Sequence, residues 1–373
     1  MRIALHVPRA SYLEPGTSGD PIFLHGLVSG LRERGHEVEI VSRVDVRDYW
    51  RGRAPARRLV SETIAVRRRM KRFSPDAWLV YGPSATYPDV FGWWQRPGRY
   101  VLIATGIGKP ERMPRPWRWV FAKAHRRSLA RADTVAVYRP KSRKSLQALG
   151  IEDDRILVLP LASPGWESVP AQDEARRRLG LPLDAAVVLS VSRLPPARTD
   201  GRPWKTEMVL ELLAAGTSLP RNAMLVHVGD GPGRERVEEA GRKLGLDRRL
   251  RLAGAVEHRD AVWYFAACDF LALPDLRDFP WLAVLEAQSC GRPVVTTRTS
   301  SAELTVDEGR TGLLAADRQE FEAHMAALAL DRARCLSMGT AAREYVERTH
   351  SMDVRLRQIE DLLTGADGGR RER

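Results

Sequence analysis

Long apolar runs are missing from this 373-residue chain: no uninterrupted stretch reaches the roughly 18 residues of a membrane-crossing helix. The opening residues, MRIALHVPRA, lack the apolar segment and small-residue cleavage site of a secretory leader, and read as the first strand of a fold. Cysteine is scarce. Cys268, Cys290 and Cys335 are odd in number and show no CxxC or Cys/His spacing. That argues against a disulfide framework and a thiolate metal site, and predicts reduced, structural thiols in a cytoplasmic protein. No D-x-D triplet occurs, and no tandem repeat is evident.

What is present describes a folded protein: 43% hydrophobic and 29% charged residues, in a chain long enough for two domains. The net charge of +13 is unevenly placed. Residues 1–165 hold 30 Lys and Arg against 15 Asp and Glu, whereas the remainder holds 30 against 32. The excess therefore lies wholly in the first half, which predicts an anionic partner there or a set of solvated basic faces. Residues 96–144 alone carry 14 cations and two acids. On a helical wheel over Pro114–Ala132, Trp117, Val120, Phe121 and Ala124 share the expected core side, with Trp119, Lys123 and Arg126 opposite. An exposed Trp among basic residues suits an anionic membrane surface, giving possible peripheral attachment at the inner face. No nucleic-acid motif interleaves with these cations, so nucleic acid is not an expected partner.

Apolar strands alternate with amphipathic helices along the chain, from RIALH and HEVEIVS to AAVVLSV, AMLVHV, FLALP and PVVTT. Such alternation predicts an α/β protein of two doubly wound, Rossmann-like parallel sheets, with ligands at the C-terminal strand ends. The Pro- and Ser-rich segment after Leu161 marks the boundary. The expected domains are 1–162, 163–345, and a last segment, 346–373, whose helix returns to the first domain before a polar tail.

Four clusters are candidates for chemistry. The stretch Leu271–Thr297 reads as strand, loop, helix and strand, with the helix opening near Trp281. Asp278 lies in the loop and Glu286 on the helix, eight positions on, a little over two turns. A helix N-terminus facing such a loop favours an anion, and nearby carboxylates suit hydroxyl groups, a combination that suggests a sugar nucleotide. Arg193 sits where an earlier strand stops, and Lys205 where the next helix starts; together they suit a diphosphate. The turn VGDGPGR, with glycines at 229, 231 and 233, departs from G-x-G-x-x-G and is either a structural turn lining a pocket or a direct contact. The first loop, with Ser18, Gly19 and Asp20, leads into a helix and is a candidate acceptor-side element.

In this order, SRL…K, VGDGPGR, GAVEHRDAVWYFAACDFLALP and DFPWLAVLEAQSCGRPVV, with LRERGHEVEIVS earlier, resemble the retaining GT-B glycosyltransferases of family 4. The resemblance covers nearly the whole chain. It implies that Arg193 and Lys205 grip the donor diphosphate, that Glu286 holds the ribose hydroxyls, and that Asp278 contacts the transferred sugar. The backbone of Pro280, Trp281, Leu282 and Ala283 would lie along the sugar and phosphates, with Gly229 beside them. It further implies a metal-independent transfer, with no cofactor beyond the donor substrate, to a sugar or lipid-linked acceptor. Three departures stand out. Asp278 replaces a Glu, Ser18-Gly19-Asp20 replaces paired glycines, and Thr105 stands nearest the place where many members have a His. Two rival expectations are a nucleotide-sugar epimerase on the same fold and a binding protein without turnover.

Overall fold

The computed structural model describes residues 1–14, 19–94, 98–107, 113–197 and 204–366. These form two compact units, Met1–Leu161 joined by the residues from Met352 onward, and Ala162–Ser351.

In the first unit the strands are β1 (Arg2–His6), β2 (Glu37–Ser42), β3 (Ala77–Tyr81), β4 (Arg99–Ala104), β5 (Thr134–Val137) and β6 (Ile156–Val158). They are crossed by α1 (Gly19–Glu33), α2 (Arg47–Trp50), α3 (Ala56–Phe73), α4 (Arg115–Arg131) and α5 (Pro140–Gln147). The sheet order is β2-β1-β3-β4-β5-β6, every pairing parallel. Order reverses at β1, so the loops after β1 and β3 part there and leave a crevice at the C-terminal strand ends. Asp89 is fully buried beneath this region, accepting from Trp78 Nε1 at 2.9 Å and the Tyr100 hydroxyl at 2.6 Å, with His6 Nδ1 at 2.7 Å. Burial opposes its ionisation, but the His6 charge and these hydrogen bonds outweigh it and hold the carboxyl below its usual range.

The second unit starts with α6 (Gln172–Leu179) and runs through β7 (Val187–Val191), α7 (Lys205–Gly216), β8 (Met224–Val228), α8 (Arg234–Lys243), β9 (Leu250–Gly254) and α9 (His258–Ala267). It continues with β10 (Phe270–Leu273), α10 (Leu282–Ser289), β11 (Val294–Thr297), β12 (Gly312–Ala315), α11 (Arg318–Leu330) and α12 (Arg332–Thr349). Its sheet is also parallel, in the order β12-β11-β10-β7-β8-β9. Alternate strand residues serve opposite faces, as the period of two requires. Val187, Leu189 and Leu271 pack with Phe265 and Val284, while Val188, Phe270 and Ala272 pack with Leu212 and Met325. The final helix, α13 (Met352–Thr364), lies on α1, where Gly26 faces Met352 and Gly30 faces Leu356.

Two elements differ from the sequence reading. β12 is not among the strands named from the sequence, being a run of only four residues that opens with a glycine. α12 runs on through residue 345 to Thr349, so the second unit extends past the expected boundary. The three cysteines are buried free thiols, and burial pushes Cys268 up to about 12.

A buried ion pair fastens α6 to the second sheet. Arg176, with no exposed surface, donates Nη2 to Asp269 Oδ2 at 2.8 Å and its other nitrogens to the carbonyls of Ala267, Leu183 and Ala185. Asp269 Oδ2 also accepts from Val187 N at 2.7 Å, which starts β7. Asp269→Ala leaves the guanidinium buried without a counter-charge, so a loss of about 3–5 kcal/mol is expected in denaturant unfolding. A loss near zero would show that this pair does not anchor α6.

Candidate functional site

In the second sheet the strand order reverses at β7, which has β10 on one side and β8 on the other. Loops after β7 and β10 therefore diverge, and they carry Arg193 and Asp278. Ligands in parallel sheets sit at such switch points, for a geometric reason: adjacent loops leave to opposite faces and open a crevice.

The floor of this region is backbone. Ser192 N donates to Val228 O at 3.0 Å, and Leu194 N to Asp230 O at 2.9 Å, so the β7 loop runs along the turn after β8. A Cβ at Gly229 would stand 1.9 Å from Ser192 O, one at Gly231 2.3 Å from Leu194 O, and one at Gly233 2.8 Å from Pro195 O. The φ values of Gly229 and Gly231 are +134° and +148°, outside the range that L side chains tolerate. These glycines are thus required by the crossing of two chain segments. Of the two meanings the turn had in the sequence, the structural one has a direct physical cause.

Arg193 is exposed on the loop so held, and none of the described residues pairs with its guanidinium. Residues 198–203, between it and Lys205, lie outside the described residues. Lys205 opens α7, where Trp204 N donates to Glu207 Oε2 at 3.1 Å. Its ammonium sits 4.8 Å from the Trp281 ring centroid, 5.8 Å from Trp204 and 5.9 Å from Phe279. Arg277 lies over the other part of this cluster, 4.8 Å from Trp204. These ammonium–aromatic contacts hold the Lys205 side chain against the cluster. This aromatic seat escaped the sequence reading, which read Trp281 only as backbone.

Between β10 and α10 the loop is shaped by its own acids. Buried Asp275 accepts from Arg277 N at 2.9 Å and Phe279 N at 2.7 Å, and burial raises its carboxyl above the usual range despite those bonds. Asp278 has φ of +52°, uncommon for a residue with a side chain. Its Oδ2 accepts from Ser300 Oγ and its Oδ1 from Ser301 N, both at 2.8 Å. The carboxylate thus ties the loop to the segment after β11. Trp281 precedes α10, which starts at Leu282, one residue later than expected, and no side chain caps it.

Glu286 is buried on α10, and His258 Nε2 lies 2.7 Å from its Oε1. The His258 ring stacks on Trp166 at 4.9 Å between centroids, and Trp166 Nε1 donates to Glu286 O at 3.3 Å. His258 opens α9, so a helix from the far side of β10 orients this carboxylate. Only a contact between distant segments reveals that partnership, and the sequence carries no local sign of it.

In the first unit, Gly19 and Asp20 open α1, and Tyr81 Oη donates to Asp20 O at 3.4 Å. Tyr12 lies between Arg9, whose Nη1 is 3.2 Å from its hydroxyl, and Asp20; burial, followed by the charge of Asp20, raises its pKa. Thr105 follows β4 beside Gly82, at whose Cβ position Tyr12 and Thr105 would both be neighbours. Ser18 lies outside the described residues. Among the described residues, no group of three His, Cys, Asp or Glu is arranged to hold a metal ion, and no helix is long and apolar enough to cross a membrane.

Two family profiles match the chain: "Glycosyl transferases group 1" over residues 185–331 and "Glycosyl transferase 4-like domain" over residues 22–162. Among curated proteins, it is 33% identical over 213 residues to a D-inositol 3-phosphate glycosyltransferase from Acidothermus cellulolyticus, covering 54% of this chain and 46% of that one. The corresponding protein of Corynebacterium urealyticum is 30% identical over 205 residues, 54% of this chain and 47% of that one. The matches thus span about half the length of these relatives. Among solved structures, sucrose-phosphate synthase from Thermosynechococcus elongatus superposes with a TM-score of 0.75, 19% identity and coverage of 99% of this chain and 100% of that one. Anabaena HepE in complex with UDP-glucose gives 0.71, at 18% identity and 97% and 99% coverage. At such identities the solved structures speak to the fold alone.

The glycine crossing yields a direct test. Gly231→Ala places a methyl group against the Leu194 carbonyl, where backbone must shift, and a loss of more than about 2 kcal/mol in unfolding free energy is expected. An unchanged melting curve would mean that the β7 loop does not run as described.

Proposed function

This chain belongs to glycosyltransferase family 4, the glycosyl transferases group 1 family, and has a GT-B-type α/β fold; from that premise we propose that it moves a sugar from a nucleotide-sugar donor to a hydroxyl acceptor with retention. The observation that carries this reading is the grouping of Arg193, Lys205 and Asp278 on loops at the switch point of one sheet, with Glu286 on the helix that follows.

As the donor C–O bond breaks, negative charge grows on the departing nucleotide diphosphate. Lys205, seated on its aromatic cluster, and Arg193, at the mouth of the β7 loop, would neutralise it, with the N-terminus of α10 adding its dipole. Glu286, held by His258 through Oε1, offers Oε2 to the ribose hydroxyls. Asp278, fixed in the loop by Ser300 and Ser301, is assigned to the transferred sugar, with the backbone of Pro280, Leu282 and Ala283 alongside. In this proposal the cations do the work of a divalent ion, so the reaction needs no metal. Solved HepE complexes with UDP and UDP-glucose make uridine donors the first to try. Gly19, Asp20 and Thr105, at the strand ends of the first unit, are assigned to the acceptor side.

Lys205→Ala should lower turnover roughly 100- to 1000-fold, the scale of losing one preorganised charge partner. The assay is nucleotide release from a panel of nucleotide sugars, with and without chelator, and NMR of the anomeric product. Tight donor binding without turnover, even with acceptor extracts, would sink the transferase reading in favour of a binding protein.

A surface observation favours a lipid-linked acceptor at the inner face of a cytoplasmic membrane. Trp119 is 65% exposed beside Lys123, whose ammonium is 4.7 Å from its ring centroid, and α3 exposes Val60 and Ile64 among Arg57, Arg67, Arg68 and Lys71. Val120, expected in the core, is 40% exposed, since this part of α4 packs through Trp117 and Phe121 against a small cluster that includes Val46, Tyr49 and Met113. Apolar side chains among cations suit an anionic interface. Trp119→Ser with Ile64→Ser should reduce sedimentation with phosphatidylglycerol vesicles several-fold, each contact contributing on the order of 1 kcal/mol; equal sedimentation of both proteins would remove the membrane contact.

A further inference from the structure

A cavity of about 310 Å³ lies in the first unit, and none of the residues assigned above lines it. It is bounded by the segment after β1, by the loop after β2, and by the start of α3. Three arginines from separate segments line it: Arg43 after β2, Arg53 after α2, and Arg58 in the first turn of α3. None of the three has an ion-pair partner among the described residues. Arg47 also lines it but is 3.5 Å from Asp45, and the two other carboxylates are Glu14 and Asp48. Setting the Arg47–Asp45 pair aside, three guanidinium forks face two carboxylates, leaving a net positive cavity in a unit already rich in cations. The first turn of α3 contains no acidic side chain and its N-cap, Pro55, offers no side-chain acceptor, so that helix end adds positive potential.

We propose that this cavity binds the phosphate group of a phosphorylated acceptor, with Arg43, Arg53 and Arg58 as its donors. Three forks can each place two parallel N–H groups on phosphate oxygens, a geometry that a lysine cannot reproduce. The volume falls in the range of small-ligand pockets and takes a phosphate with part of the group bearing it. The cavity adjoins the C-terminal ends of β1 and β2, the edge of the sheet to which the acceptor is assigned. This inference rests on the transferase reading for the identity of the ligand as acceptor, but not for phosphate binding itself.

The test uses the full chain at low ionic strength, with inorganic phosphate, glucose 6-phosphate and an inositol phosphate as soluble probes, and phosphatidylglycerol or phosphatidylcholine vesicles as lipid probes. Calorimetry should show at least one soluble phosphate monoester binding. Arg53→Gln and Arg58→Gln should each weaken it roughly tenfold, the scale of one lost charge-assisted bond at a half-open site. Arg53→Lys should recover only part, and the affinity for UDP-glucose should not change in any of them. Binding confined to phosphatidylglycerol vesicles, and lost in the Gln variants, supports the phosphate site and places the phosphate on a lipid headgroup. Absence of binding to every phosphate probe, or equal binding by wild type and the Arg43→Gln/Arg53→Gln/Arg58→Gln variant, would overturn it. Phosphate binding with no sugar transfer leaves the cavity standing and removes the transferase reading. Transfer to neutral acceptors alone, with the triple variant unchanged, does the reverse.

Discussion

The second unit depends on a crossing of backbone on backbone. Where the loop after β7 runs along the turn after β8, there is space for main chain and for nothing else, so three glycines stand at 229, 231 and 233. Three backbone hydrogen bonds, from Ser192 N to Val228 O, Leu194 N to Asp230 O and Gly233 N to Leu194 O, hold the β7 loop in register with the turn. Arg193 is on that loop, and the segment beyond it leads to Lys205. A cation on a free loop spends conformational entropy each time it meets an anion; one on a pinned loop has lost that freedom on folding. The glycines therefore serve a charge that they never touch.

Around this floor, the polar groups of the candidate site are held in direction by neighbours from other segments. His258 holds one oxygen of Glu286, Ser300 and Ser301 hold Asp278, and three aromatic rings seat the Lys205 ammonium. Groups oriented in this way suit hydroxyl and phosphate recognition, since they are fixed in direction before the ligand arrives. Asp278 is the more constrained of the two carboxylates. Its positive φ and its double bond to the neighbouring segment bind the β10 and β11 loops into one piece. A side chain one methylene longer would have to find both serines from a different depth, which gives the Asp at this position a structural reason.

The sheet order could not be read from the sequence, but its ingredients could. Apolar runs of four to six residues between amphipathic helices are a local property, and eleven of the twelve strands announce themselves that way. β12 does not, since four residues buried on both sides give no alternation to detect. Val120 was misjudged for a related reason: helical periodicity says which residues share a face and not how far the neighbouring element extends over it. The partners of the site residues were the least legible. His258 and Glu286 are 28 positions apart, and Arg176 and Asp269 are 93 apart, so only the packing of helices from different crossovers brings them together. Arg193, Lys205 and Asp278 could be singled out in the sequence because they lie in loops or at a helix start, and Glu286 by its spacing from Asp278; the residues that orient the carboxylates lie in other segments, which local grammar does not connect to them.

Charge is also divided by task between the units. In the second unit cations and acids nearly balance, and several surface arginines are matched within one helical turn, as Arg234 with Glu238 and Arg318 with Glu322. In the first unit cations outnumber acids, so pairs such as Arg34–Glu360 and Arg143–Asp153 leave an excess. α3 carries seven cations against Glu62, and Glu62 is drawn inward to Ser42 and Arg69. Self-repulsion of this kind lowers the stability of the compact state without aiding its packing, so it is retained more readily where an anion neutralises it. The repulsion also has a direction. Arg57, Arg67, Arg68 and Lys71 point from the outer face of α3 into solvent, where a broad and distant surface can meet them, while Arg43, Arg53 and Arg58 border a cavity of molecular size. A flat surface cannot enter that cavity and a small phosphate ester cannot span the outer face. The two sets of cations therefore answer to ligands of different dimensions, even where the chemistry of both ligands is phosphate.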